Sequence, residues 1–317
     1  MRSNRGLITR AGKTLFLVCL LTSCSGFLVS GAAQDQEEAL FKSRVDVVNV
    51  IVNVRRGSTY LDDLKKEDFE VFEEGRQQQI EFFSLETGDQ AQPLNIVLLL
   101  DTSGSVRDKL RFEQQAAEAF FQKTLRLNAD LGAVIQFDSE INLVQDFTNS
   151  VGTLESALQN IRPGGATKLY DAVWLAVNDL LREEVGRRVL VVLSDGGDND
   201  SIVKDREAIK AAQDHDVVIF GIGVKSNRFR SDFGKLKQFA NDTGGLFFDS
   251  RADPRTLSQA FDEIRKAILT QYSISYIPSG QGKENEFREI DIRIPGEKGR
   301  GLKLSHRKGY YSSHREP

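Results

Sequence analysis

Residues 96–100, Ile-Val-Leu-Leu-Leu, run apolar without a polar interruption, the pattern of a strand buried on both faces of a parallel sheet. Strand and helix then alternate. Helical spacing puts Leu110, Ala117, Phe120, Phe121 and Leu125 near one face of a helix over 107–125. Strands at 131–137 and 141–147 follow, then helices at 151–161 and 170–184, and a buried strand at 188–193. A helix at 206–214, a strand at 217–224, a helix at 233–241, a short strand at 245–248 and a helix at 257–270 complete the series. This alternation predicts an α/β fold for residues 93–270, a doubly wound, mostly parallel, Rossmann-like sheet with right-handed crossovers.

The flanks carry a different rhythm. Residues 44–54 largely alternate apolar and polar and are rich in valine, so a half-buried strand is expected. Residues 69–75 and 79–83 read as the two arms of a hairpin. After the helical series, 272–277 and 287–294 alternate cleanly, and 302–304 reads as a third short strand. Neither flank is large enough to bury a core alone. The segments 41–87 and 271–311 are therefore expected to pair into one small β domain with the α/β domain inserted between them; two separate β appendages are the alternative.

The N-terminus stands apart. Arg2, Arg5, Arg10 and Lys13 precede an interrupted apolar run from Leu15 to Val29, and Gly31-Ala32-Ala33 leads into a polar stretch. That order describes a secretory signal peptide over residues 1–33, with an uncleaved membrane anchor as the alternative. A lipoprotein reading also stays open, in which Cys24 of Leu21-Thr22-Ser23-Cys24 carries the lipid. The protein is thus expected to be exported: periplasmic, extracellular or envelope-associated.

Cys19 and Cys24 are both in this segment, so removing it whole leaves no cysteine chemistry. Its removal also takes the 42 basic residues to 38 against 46 acidic ones, a net charge of −8. Nucleic acid is excluded as a partner on that balance, since phosphate binding needs a basic face.

Candidate chemistry is expected beyond the carboxyl ends of the buried strands, where open α/β sheets bind ligands. The strand at 96–100 runs into Asp101-Thr102-Ser103-Gly104-Ser105, a carboxylate and two hydroxyls at alternate positions. The strand at 188–193 runs into Ser194-Asp195-Gly196-Gly197-Asp198, and between them Gly164-Gly165-Ala166-Thr167 presents another hydroxyl before a helix. Hard oxygens with few formal charges suit a small dication, Mg²⁺, with Mn²⁺ or Ca²⁺ in its place, and leave room for an outside carboxylate.

These residues resemble the metal ion-dependent adhesion site of von Willebrand factor A (VWA) domains: Asp101, Ser103, Ser105, Thr167 and Asp195 match in order. The resemblance spans about residues 93–270. It implies that Ser103, Ser105 and Thr167 bind the ion directly and that Asp101 and Asp195 do so directly or through water. It also implies that a protein partner completes the shell with an Asp or Glu. The flanks, through residues 64–75 and Arg307-Lys308-Gly309-Tyr310-Tyr311, resemble a bacterial exported family carrying such a domain between β segments. The function expected is metal-dependent protein interaction or adhesion without catalysis. A cell-envelope scaffold with a purely structural metal is the first alternative, a metal-dependent hydrolase the second.

Around this set, Asp198 and Asp200 read as solvated loop residues, and Asp171 as an acceptor holding the Thr167 loop or else a ligand. Lys168 reads as a surface lysine or as a cation for a partner's carboxylate. Ser103 and Ser105 have no base beside them, and His215, His306 and His314 all fall outside the motifs, which speaks against a serine hydrolase.

Overall fold

The computed structural model describes residues 47–104, 108–224, 232–250, 253–280, 283 and 285–312. The signal segment, both cysteines, Ser105 and His314 lie outside the described residues. Residues 45–317 cluster as one compact unit. The strands before the linker are β1 (Val48–Arg56), β2 (Thr59–Tyr60), β3 (Glu70–Glu73), β4 (Arg76–Gln78) and β5 (Ile80–Glu86). The central series is β6 (Leu94–Asp101), α1 (Leu110–Thr124), β7 (Leu131–Phe137), β8 (Ile141–Thr148), α2 (Val151–Asn160) and α3 (Leu169–Leu175). A π-helical stretch, Ala176–Leu181, prolongs α3. Then come β9 (Arg187–Ser194), α4 (Asp205–Asp214), β10 (Val217–Gly223), α5 (Gly234–Thr243), β11 (Phe247–Asp249) and α6 (Pro254–Leu269). The chain closes with β12 (Gln271–Tyr276), β13 (Phe287–Arg293), β14 (Leu302–Ser305) and β15 (Gly309–Tyr311).

The central sheet has the order β11-β10-β9-β6-β7-β8. All its pairings are parallel except β7 with β8, which is antiparallel. The α/β doubly wound reading therefore holds. The order reverses between β6 and β9, so the crevice beyond their carboxyl ends is the place for a ligand. Two apolar clusters cover the faces. Leu98, Leu100, Phe120, Phe121 and Phe261 pack on one side, and Val97, Leu99, Val173, Val192 and Phe239 on the other. Each face of β6 thus meets a helix layer, which is why its sequence shows no polar alternation.

The outer strands form two antiparallel sheets, β14-β1-β12-β5 and β15-β13-β3-β4. Val50 faces Ile274 and Val52 faces Tyr272 across the β1–β12 pair, which joins strands more than two hundred residues apart in the chain. Both sheets bury their inner faces in one core of Val50, Val52, Val71, Tyr272, Ile274 and Ile292. At its centre the buried carboxylate of Glu73 accepts bonds from Tyr276 Oη (2.6 Å), Tyr310 Oη (3.0 Å) and Arg288 Nε (2.7 Å). Burial and the adjacent Glu73 raise the pKa of both tyrosines, so they stay protonated donors.

Glu73→Ala should therefore lower stability by about 3–5 kcal/mol, because it strands the Arg288 charge among apolar neighbours. Glu73→Ala combined with Arg288→Met should recover part of that loss. Urea midpoints of the two variants decide it, and equal midpoints would refute the account.

Candidate metal centre

Asp101 ends β6 and is 1% exposed. Each of its oxygens is held: Ser103 N donates to Oδ1 (2.9 Å) and Ser194 Oγ, at the end of β9, donates to Oδ2 (2.6 Å). The hydroxyl of Ser194 thus links the two strands across the switch point. It also accepts from Gly196 N (3.0 Å), which fixes the turn leading out of β9. Burial pushes the Asp101 carboxyl up to about 6; bonds from Ser194 and Ser103 pull against that, and the nearby Asp195 charge adds to it.

Three loops are knit together around this carboxylate. Gly164 N donates to Thr102 O (2.6 Å) and Gly104 N to Gly165 O (3.2 Å), so the loop after β6 lies against the glycine-rich loop. That approach requires glycine: a Cβ on Gly164 would stand 2.0 Å from Asp138 Oδ2. Asp138, at the end of β7, in turn accepts from Thr102 Oγ1 (2.7 Å) and its backbone O accepts from Lys168 N (3.1 Å). Burial works against the Asp138 charge, but bonds from Thr102, Glu140 and Ser139 outweigh it and hold the carboxyl below its ordinary range.

The third loop follows β9. Thr167 N donates to Asn199 Oδ1 (3.0 Å) and Asn199 N returns a bond to Thr167 O (3.1 Å), which joins the Thr167 loop to the segment after Asp195. Gly197 N donates to Asp195 Oδ1 (3.1 Å). Gly196 takes φ +86°, and a Cβ there would also meet Asp232 O at 2.3 Å. Asp101, Ser103, Thr167 and Asp195 are therefore all placed on loops at one end of the β6–β9 pair, and all four are buried. Ser105 lies outside the described residues.

Two of the surrounding acids, Asp198 and Asp171, behave differently from the simplest sequence reading. Asp198 is not a freely solvated loop residue: it accepts from Tyr170 N (3.2 Å) and Ser201 Oγ (2.6 Å) at the start of α3. Asp171 accepts from Ile202 N (3.0 Å) and Val203 N (2.8 Å), so it holds the loop after β9 rather than the Thr167 loop. Asp200 stands 3.5 Å from Lys168 Nζ as an exposed ion pair. His215 caps α4 at the opposite end of the sheet, and His306 Nδ1 pairs with Arg307 O.

Two charged residues that the sequence reading passed over are buried beside this set. Lys109, the first residue before α1, is 4% exposed, and Glu113, one turn on, is 1% exposed. Burial draws the Lys109 ammonium below its ordinary range. Burial, with the charge of Asp101, pushes the Glu113 carboxyl well above its own. The available signal was position: Glu113 falls on the same helical stripe as Ala117 and Phe120.

Among the described residues no three His, Cys, Asp or Glu side chains converge into a cluster able to hold a metal. A cation here has to rest on two carboxylates and several hydroxyls, a donor set that fits a hard dication retaining water. A buried Asp101 carboxyl, raised by burial and further by the nearby Asp195 charge, also fits a site completed by positive charge.

Comparison with known proteins bears on the fold. An uncharacterized protein of Borreliella burgdorferi is 28% identical over 189 residues, covering 50% of this chain and 54% of its own. The chain thus spans about half the length of that curated relative. Among solved structures, proximal thread matrix protein 1 from the mussel byssus is 16% identical, with a TM-score of 0.52, over 62% of this chain and 51% of that one. A von Willebrand factor type A protein from Catenulispora acidiphila is 13% identical, with a TM-score of 0.47, over 84% of this chain and 74% of its own. The family model of the von Willebrand factor type A domain matches residues 95–263, more than half of the chain, and the protein belongs to that family.

Proposed function

We propose that this is an exported, metal-dependent protein-binding module, in which Asp101, Ser103, Ser105, Thr167 and Asp195 hold a divalent cation and a partner's Asp or Glu completes its shell. The supporting observation is the buried Asp101 carboxylate at the sheet's switch point, with the loops of Thr167 and Asp195 tied to its own. Mg²⁺ suits the donors best, with Mn²⁺ or Ca²⁺ as substitutes. The bound ion would supply Lewis acidity toward an external carboxylate; the protein's residues position it and exclude competing water. Residues 1–33 supply the export signal, with lipidation at Cys24 as its alternative form.

A structural ion in an envelope scaffold is the rival reading. The three loops are already joined by protein hydrogen bonds, so an ion is not needed to hold them. Nor does a histidine stand beside the site among the described residues, and this reading assigns no catalysis.

Thermal unfolding in EDTA, Mg²⁺, Mn²⁺ and Ca²⁺, alongside Asp101→Ala, tests the site. A cation at about a hundred times its dissociation constant should add roughly 2.7 kcal/mol to the parent and nothing to the variant. Stabilisation of both equally, or of neither, would sink the assignment. Thr167→Ala should keep the fold and lose partner capture; a scaffold ion would instead cost stability when its ligand is removed.

The pH dependence follows from Asp101, whose carboxyl titrates at about 6 rather than 3.8. A folded-state pKa raised for an acid means the folded chain binds the proton more tightly. Metal-free, this group costs stability above pH 6, and the cost fades as pH falls from about 6 toward 4. Cations compete with the same proton, so Mg²⁺ affinity should drop as pH falls through about 6. Calorimetric titrations at pH 7.5, 6 and 5 check this; an affinity flat across that range would contradict it.

A further inference from the structure

Lys109 and Glu113 lie one turn apart at the start of α1, Glu113 N donating to Lys109 O (3.1 Å). Both side chains are buried, and neither Lys109 Nζ nor Glu113 Oε1 has a hydrogen-bond partner. Two buried ionisable side chains with unsatisfied atoms are poor packing; apolar residues of similar volume would serve a helix–sheet interface as well or better. The pair stands in the field of the site's own carboxylates. Glu113 interacts with Asp101, Lys109 and Asp195, and Lys109 with Glu113, Asp195 and Asp108.

We infer that Lys109 is a positioning charge that sets the strength and charge selectivity of the metal site. Lys109 acts as an internal counter-cation, and Glu113 is the buried acid one turn beyond it. This rests on the reading of Asp101, Ser103, Ser105, Thr167 and Asp195 as metal ligands. A site of carboxylates alone would hold its ion tightly and cancel its charge. An ammonium fixed behind those carboxylates offsets part of their field. The ion then keeps surplus positive charge on its open side, where a partner's carboxylate would bind.

Because Coulomb energy is proportional to ion charge, the test uses a divalent and a trivalent probe, Mg²⁺ by calorimetry and Tb³⁺ by luminescence, on the full chain at one fixed pH. Lys109→Met should tighten Mg²⁺ by at least about tenfold and tighten Tb³⁺ more, the logarithm of its gain being about 1.5 times that for Mg²⁺. Lys109→Arg, which keeps the charge, should leave both near the parent. If Lys109→Met does not fold, Lys109→Gln keeps a polar end of similar reach and removes the same charge. Unchanged affinities in a folded variant, or equal logarithmic changes for the two ions, would overturn the inference. Failure of the parent chain to bind Mg²⁺ at all would instead overturn the metal site itself.

Discussion

A carboxylate buried at the end of an apolar strand is the constraint on which the rest of this structure turns. All eight residues of Leu94–Asp101 are buried, and the last of them is an acid. Placing β6 at the centre of the sheet, covered on both faces, leaves Asp101 with little water to solvate it. Its charge can persist only if donors or a cation are brought to it. Ser194 from the neighbouring strand and the amide of Ser103 do part of this. The close approach of the loops at Gly164 and Gly196 follows from the same need, since each glycine lets backbone come where a side chain would collide.

The α/β portion was legible because its periodicities are produced by burial itself. A strand covered on both faces has to be apolar throughout, so the run at 96–100 marks β6, whose ends extend to Leu94 and Asp101. Ends were less legible. The helix expected from 257 starts at Pro254, where Asp253 caps it by accepting from Thr256 N. An Asp-Pro pair is a helix start that apolar periodicity does not register. The helix expected from 107 begins at Leu110, with Lys109 at its N-cap. Asp101, Ser103 and Asp195 were readable as residues at or just beyond strand ends, and Thr167 as a loop hydroxyl before a helix. The roles of Asp171 and Asp198 were not, because which amide a loop carboxylate captures depends on how two loops meet.

The β flanks show a different limit. Alternation in a strand tells which side chains share a face, but not which strand lies alongside. Nothing local in residues 48–56 marks Gln271–Tyr276 as their neighbour, and the pairing exists because α6 delivers β12 directly beside β1. Asn53 Nδ2 donates to Ala267 O (2.6 Å) at the end of α6, which fastens that handover. Glu73 was equally hidden: nothing in the hairpin pattern singles it out, yet it is the shared acceptor for Tyr276, Tyr310 and Arg288 from three other strands.

Lys109 and Glu113 connect these two observations. In sequence, a lysine followed four residues later by a glutamate looks like a solvent-facing helical pair. In the fold, the stripe that carries Ala117, Phe120 and Phe121 into the core carries Glu113 with it, just behind Asp101. The loops around Asp101 are already fixed by their own hydrogen bonds, so their geometry leaves little for an ion to rearrange. What remains adjustable is the local field, and residues one helical turn behind the ligands can change it without moving a ligand. A scaffold of this kind lets affinity for the ion, and the charge left on it for a partner, vary through buried side chains while the binding loops stay as they are.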